Sequence, residues 1–251
     1  MIRALLVALT HLAIVPVLGP IALLAHLVRP EWMLAHRFSH FWGRMVMRAA
    51  GVRFRAEGVE TLERCRPAVV VANHSSNFDI YGLCAIMPVP YMIPAKKVLF
   101  RIPIVGAAMR SMGFVPLERT GSARDLHQIE RLARGFERGG LLLFFPEGTR
   151  VPDGRLRRFK KSAFVIAIKH QVPVIPVAVI GAHRIQPRAD WRIRPGPLTV
   201  RVCGPIPTTG LTYDDRDALL ERAWHAIWNA LPDEQRPAAA PGGDRSAGKP
   251  S

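Results

Sequence analysis

Apolar positions are distributed very unevenly along the chain. Residues 4–28 are almost wholly apolar, interrupted by His11 and His26 but by no full charge. At about 1.5 Å per residue a helix here is long enough to cross a bilayer, although Pro16 and Pro20 are expected to break or kink it. Arg3 ahead of the run allows a secretory signal, but no small-x-small cleavage site follows. Residues 31–50 then set Trp32, Met33, Phe38, Phe41, Trp42, Met45 and Val46 against Arg37, Arg44 and Arg48. This is an amphipathic helix that suits a core face or a headgroup zone. Beside the apolar run, membrane contact is the better reading: residues 1–50 predict a membrane-associated helical pair, dipping into one leaflet or making a single span.

Beyond Gly51 the period changes. Short apolar runs at 52–56, 68–72, 91–95, 113–117, 141–145, 172–180 and 198–203 read as strands. Helical patterns lie between them at 80–87, 100–112 (entered through Pro103), 160–170 and 213–231. A further helix starts at Ser122, with Asp125 at the capping-box position, an apolar stripe of Leu126, Ile129, Ala133 and Phe136, and a stop at Gly139-Gly140. Pro173 and Pro176 suggest that the sixth strand is an edge or carries a bulge. Strands alternating with helices predict an α/β fold, a mostly parallel central sheet covered by helices, over residues 51–231. From Pro232 the chain is Pro, Gly, Ala and charge, which predicts a disordered tail over 232–251.

Length and charge narrow the partners. A chain of 251 residues accommodates one such domain with appendages. Thirty-five Lys and Arg against nineteen Asp and Glu give +16, which attracts nucleic acid or an anionic membrane surface; the apolar start argues for the membrane. Cys65, Cys84 and Cys203 lack C-x-x-C spacing, which argues against a thiolate metal site or a disulfide framework and fits a reducing compartment.

Candidate chemistry sits where the strand 68–72 stops, at Asn73-His74-Ser75-Ser76-Asn77-Phe78-Asp79. Residues five apart on one helix lie on different faces, so His74 and Asp79 meet only if His74 is on the turn and Asp79 on the first turn of the helix. Asp79 then orients the imidazole and leaves the other ring nitrogen as a base, the logic of a catalytic dyad. No G-x-S-x-G elbow surrounds Ser75 or Ser76, which read as turn and cap residues, with a covalent serine route as the minor alternative. In open sheets ligands bind beyond the carboxyl ends of strands, and His74, Lys96-Lys97, Arg119 and Glu147 all follow predicted strands.

Three further blocks follow in order: Gly113 to Arg119 (G-x5-R), Phe145-Pro146-Glu147-Gly148-Thr149-Arg150, and Val172-Pro173-Val174-Ile175-Pro176. With the N-H-x4-D block this order resembles the glycerolipid acyltransferase family. The resemblance covers the central part of the chain and implies transfer of a fatty acyl group from acyl-CoA or acyl-carrier protein to the sn-2 hydroxyl of 1-acyl-sn-glycerol 3-phosphate. It implies His74 and Asp79 as the dyad, with no acyl-enzyme, no metal and no cofactor. It assigns acceptor binding to Gly113, Arg119, Glu147, Gly148, Thr149 and Arg150, with Asn73 as a further contact. Arginines suit a phosphomonoester. Glu147 is odd beside one, and better orients an arginine or receives the glycerol hydroxyl. Ser162 stands where the family suggests glycine. The basic run from Arg155 to Lys161 suits headgroups, a carrier protein or coenzyme A phosphates. The implied location is the cytoplasmic face of the inner membrane. Acylation of another lysolipid, such as a lyso-ornithine lipid, is the sister expectation, and a non-catalytic basic membrane-binding protein the different one.

Overall fold

Alternation along one strand organises the molecule. In the computed structural model, which describes residues 1–28, 34–88, 91–102, 105–111, 113–117, 136 and 139–237, all five residues of Ala68–Ala72 are buried. Ala68, Val70 and Ala72 enter one apolar cluster, and Val69 and Val71 the other. Successive strand residues point to opposite faces, so both faces of this strand are covered, as a central parallel strand requires.

The strands are β1 (Val52–Glu57), β2 (Ala68–Ala72), β3 (Tyr91–Lys96), β4 (Phe114–Leu117), β5 (Leu141–Phe144), β6 (Val174–Ile180) and β7 (Gly196–Val202). They form a seven-stranded sheet in the order β1-β7-β6-β2-β5-β3-β4. Among these seven strands only β6 and β7 pair antiparallel; their other pairings are parallel. Around them lie α1 (Ile2–Val28), α2 (Leu34–Ala49), α3 (Glu60–Arg64), α4 (Phe78–Cys84), α5 (Val105–Ser111), α6 (Ser162–Lys169), α7 (Ala182–Ile185) and α8 (Arg216–Ala230). Helices α1, α2 and α4 contribute to one cluster, α6 and α8 to the other. The helix expected from Ser122 lies outside the described residues, apart from the buried Phe136. Trp32 and Met33 lie outside them too.

Several expectations are corrected. The two prolines do not break α1, which runs through both without a gap. Each ring removes one backbone hydrogen bond, and the Leu-, Ala- and Ile-rich turns on either side keep the helical path. The sixth strand is not an edge: β6 lies between β7 and β2. Pro173 precedes it. Pro176 is tolerated because its backbone faces β7 where the ladder with β7 has just begun; its carbonyl accepts Cys203 N–H at 2.9 Å, and the paired register starts one residue on, at Val177. The fold also runs past Leu231. Asp233–Gln235 forms a 3-10 turn, and the fully buried Gln235 accepts Gly181 N–H at 2.9 Å through Oε1 and Leu156 N–H at 2.9 Å through its backbone carbonyl. A glutamine in a polar tail thus bonds the domain through both its side chain and its backbone, which the tail's composition concealed.

The helices of residues 1–50 also pack on the sheet domain. Val7, Val46, Met47 and Ala50 belong to the same cluster as β2. Gly43 lets α2 approach α4 closely, since a Cβ there would fall 2.6 Å from the Tyr81 carbonyl oxygen. His11 of α1 bonds the Tyr81 hydroxyl through Nε2 at 3.1 Å. The first two helices therefore brace α4, the helix that carries Asp79.

Candidate active site

The carboxyl ends of β2, β5 and β6 lie side by side, and the segments leaving them build one constellation. His74 is on the turn after β2, and Asp79 is on the first turn of α4. The carboxylate accepts only, so His74 Nδ1–H donates to Asp79 Oδ2 at 2.8 Å. The same oxygen accepts the backbone N–H groups of Ser75 at 2.6 Å and Ser76 at 2.8 Å. Asp79 is fully buried, and these three donors, the imidazole and the two amides, hold its charge out of water. His74 Nε2 has no hydrogen-bond partner among the described residues. Ser75 is buried, while Ser76 Oγ donates to Gln186 O at 2.8 Å and accepts Phe78 N–H at 3.2 Å. Neither serine is presented as a nucleophile.

The segment after β5 holds His74 from three further directions. Glu147 Oε2 accepts His74 N–H at 2.8 Å, and its Oε1 accepts Arg157 N–H at 3.0 Å. Val151 N–H donates to His74 O at 2.8 Å. The Phe145 ring stacks on the imidazole with centroids 4.1 Å apart. Both Glu147 oxygens are thus engaged by backbone amides, not by an arginine side chain. Burial pushes its carboxyl up to about 8, against the pull of those two amides.

Other expected residues separate. Asn73 is buried, and its carboxamide continues the β2–β6 pairing: Nδ2 donates to Val179 O at 2.9 Å and Oδ1 accepts Val179 N–H at 2.7 Å. Its polar ends are occupied by the sheet and do not face the site. Gly113 is at the wrong end of the sheet. Strand register sets Phe114 level with Ile93 and Tyr91 level with Leu141 and Ala68, so Gly113 lies at the amino-terminal edge. Its φ of 84° and the Tyr91 carbonyl oxygen, 2.2 Å from any Cβ it might carry, explain a glycine there without a substrate. Arg119 lies outside the described residues.

Arg150 is half-buried and donates Nη1–H to Asn77 Oδ1 at 2.9 Å. Thr149 is exposed at the rim. Gly148 has φ 78°, and a Cβ on it would meet Lys160 Nζ at 2.9 Å, which places the Lys160 ammonium over this turn. Two residues that sequence reasoning missed close the site from β6. Gln186 meets Ser76 as above, and Arg188 donates Nη1–H to Arg150 O at 3.2 Å. The strand-end rule that selected His74 and Glu147 applied equally to this loop. Arg150, Lys160 and Arg188 therefore supply three cations around the turn beside His74. Among the described residues no group of His, Cys, Asp and Glu is arranged to hold a metal ion.

Comparison with known proteins agrees with this picture. Residues 53–180 match the acyltransferase family. A chloroplastic 1-acyl-sn-glycerol-3-phosphate acyltransferase of Brassica napus is 37% identical over 175 residues, covering 68% of this chain and 51% of that protein. A 1-acyl-sn-glycerol-3-phosphate acyltransferase of Cocos nucifera is 31% identical over 211 residues, covering 83% and 68% respectively. The crystal structure of the 1-acyl-sn-glycerophosphate acyltransferase PlsC from Thermotoga maritima superimposes with a TM-score of 0.76 at 24% identity, over 91% of this chain and 94% of that one. The chain belongs to the acyltransferase family. It spans about half the length of the first curated relatives it matches, 51% and 43%.

Proposed function

We propose that the protein moves a fatty acyl group from acyl-CoA or acyl-carrier protein to the sn-2 hydroxyl of 1-acyl-sn-glycerol 3-phosphate, giving phosphatidate at the cytoplasmic face of the inner membrane. The observation that carries the chemistry is the His74 Nδ1–Asp79 hydrogen bond, with Nε2 left to act as a base. An alcohol is a poor nucleophile near neutrality and needs its proton taken as it attacks, help typically worth about 10²–10⁴-fold. Nε2 takes the proton, the alkoxide oxygen adds to the thioester carbonyl, and a tetrahedral oxyanion forms. Its collapse breaks the C–S bond, and Nε2–H returns the proton to the leaving thiolate. Asp79 keeps Nδ1 protonated and stabilises the imidazolium between the two transfers.

The acceptor rests on the names of the relatives and on charge. Arg150, Lys160 and Arg188 suit a phosphomonoester, and Arg119 is assigned with them through the family's G-x5-R block. The exposed Arg155 and Arg158 suit the phosphates of a thioester donor or the acidic face of a carrier protein.

Membrane attachment is supported by α1, whose segment Ile2–Ile21 has mean hydropathy 2.1 and is only 11% buried. Support for a monotopic arrangement over a span comes from Arg3, whose Nη1 would lie 2.0 Å from a Cβ on Gly51. With Val7 in the core and His11 on Tyr81, the amino-terminal half of α1 stays beside the sheet domain. The deciding experiment is an acyl-transfer assay with lysophosphatidate and a lyso-ornithine lipid side by side, each with coenzyme A and carrier-protein thioesters. Turnover confined to the lyso-ornithine lipid transfers the arginines to a carboxylate. Vesicle binding without turnover of any thioester leaves a non-catalytic membrane protein.

A further inference from the structure

Neither core packing nor the dyad explains the segment that follows β3. The 3-10 turn Lys97–Arg101 and the start of α5 turn Val98, Leu99, Ile102 and Val105 outward, 60, 39, 48 and 36% exposed. Phe100, between them, is buried in the core cluster with α1 and α2. Gly106 N–H donates to Ile102 O at 2.9 Å, and a Cβ on Gly106 would fall 2.3 Å from the Phe100 carbonyl oxygen. The turn is therefore an apolar tip pinned at its base. Lys96 and Arg101 flank it, both exposed. Outside residues 1–28, α2 and this tip, the large exposed apolar side chains among the described residues are Val59, Trp191 and Tyr213, far apart in the chain. Four in eight consecutive residues are thus a concentration, not the scatter any surface carries.

Two placements say what covers it. Helix α5 packs along α1, the helix that itself turns Leu5, Leu9 and Leu12 outward. The tip also leaves the carboxyl end of β3, the edge of the sheet to which β2 delivers His74. We propose that it is a second membrane-insertion element. It seats Leu99, Ile102 and their neighbours among the acyl chains of an anionic phospholipid bilayer, with Lys96 and Arg101 on headgroup phosphates. The proposal rests on the membrane reading above and adds to it an orientation: the catalytic edge of the sheet is pressed to the bilayer, so an amphiphilic acceptor reaches His74 without leaving the lipid phase.

The test uses the full chain carrying Cys65→Ser and Cys203→Ser. An environment-sensitive dye is placed at Ile102→Cys and, on the opposite edge, at the exposed Thr209→Cys. On vesicles of phosphatidylcholine and phosphatidylglycerol the dye at 102 should shift to the blue and be quenched by headgroup-level nitroxide lipids, while the dye at 209 stays in water. A dye at 102 that stays in water on protein that sediments with the vesicles overturns the proposal and leaves the α1 anchor standing. Failure to sediment at all overturns both. A response to acyl-carrier protein in place of vesicles assigns the tip to that partner and overturns the proposal. In a second arm, Leu99→Ser/Ile102→Ser should lower turnover of bilayer-presented lysophosphatidate about tenfold and leave a water-soluble short-chain acceptor within about twofold. Equal losses on both acceptors mark a structural role, and no loss on either removes the tip from function.

Discussion

Glu147 accepts the backbone N–H of His74 at 2.8 Å through one oxygen and that of Arg157 at 3.0 Å through the other. The carboxyl group thus ties the turn after β2 to the basic loop that follows β5, and it acts on the imidazole through the main chain. Glu147→Gln turns one amide N–H₂ toward a backbone N–H and breaks one of the two bonds. Turnover should fall by about tenfold or more with little change in KM for either substrate. A selective rise in KM for lysophosphatidate would instead return Glu147 to the acceptor site.

The same residue sets a pH dependence of stability. Its folded carboxyl titrates at about 8, above the ordinary 4.5. Between these values the folded state holds a proton that the unfolded state has released, so this group's contribution to stability falls as pH rises through the window. In urea unfolding, the stability of the wild-type protein relative to Glu147→Gln should decline from pH 5 to pH 8.5. Parallel curves would mean that the carboxyl is ionised throughout.

His74→Ala should lower turnover at least ~10²-fold while the fold survives. Asp79→Asn should be comparably severe and also lower Tm, because Oδ2 is the meeting point of the imidazole and the Ser75 and Ser76 amides. Near-normal rates in either folded variant remove the dyad from the mechanism.

Asn73→Ala removes two buried hydrogen bonds to Val179. It should cost about 1–3 kcal/mol of stability and leave the KM for both substrates close to wild type. A large rise in KM without a fall in Tm would show that Asn73 meets substrate after all.

Arg150→Ala and Arg188→Ala should each raise KM for lysophosphatidate more than for the thioester, with Lys at either position rescuing only in part. Equal effects on both substrates point to the contacts with Asn77 and with the Arg150 carbonyl as their main use.

Attachment through α1 is hydrophobic. Bound protein should stay on anionic vesicles in about 1 M salt, where charges are screened beyond roughly 3 Å, and come off in detergent. Release by salt alone would leave only the basic surface to account for binding. Labelling from opposite sides of the membrane at positions 2 and 53 would favour a span.

The sequence alone determined whatever depends on local pattern. Apolar runs bounded by turn residues marked the strands, their alternation with helices marked a mostly parallel sheet, and the strand stop at Asn73 put His74 and Asp79 within reach, because a carboxylate on the first turn of a helix faces the turn before it. Tertiary structure decided everything that required knowing which strands are neighbours. The family resemblance makes Asn73 and Glu147 substrate contacts; only the β2–β6 and β2–β5 adjacencies reveal that backbone N–H and C=O groups already occupy them. Gly113 looked like part of the site until strand direction placed it at the far edge. Gln186 and Arg188 follow a strand that the sequence marks, but nothing local says that this strand lies beside β2, more than a hundred residues away in the chain. Hydrogen bonds and charges act over a few ångströms of space, and sequence separation carries no record of that distance.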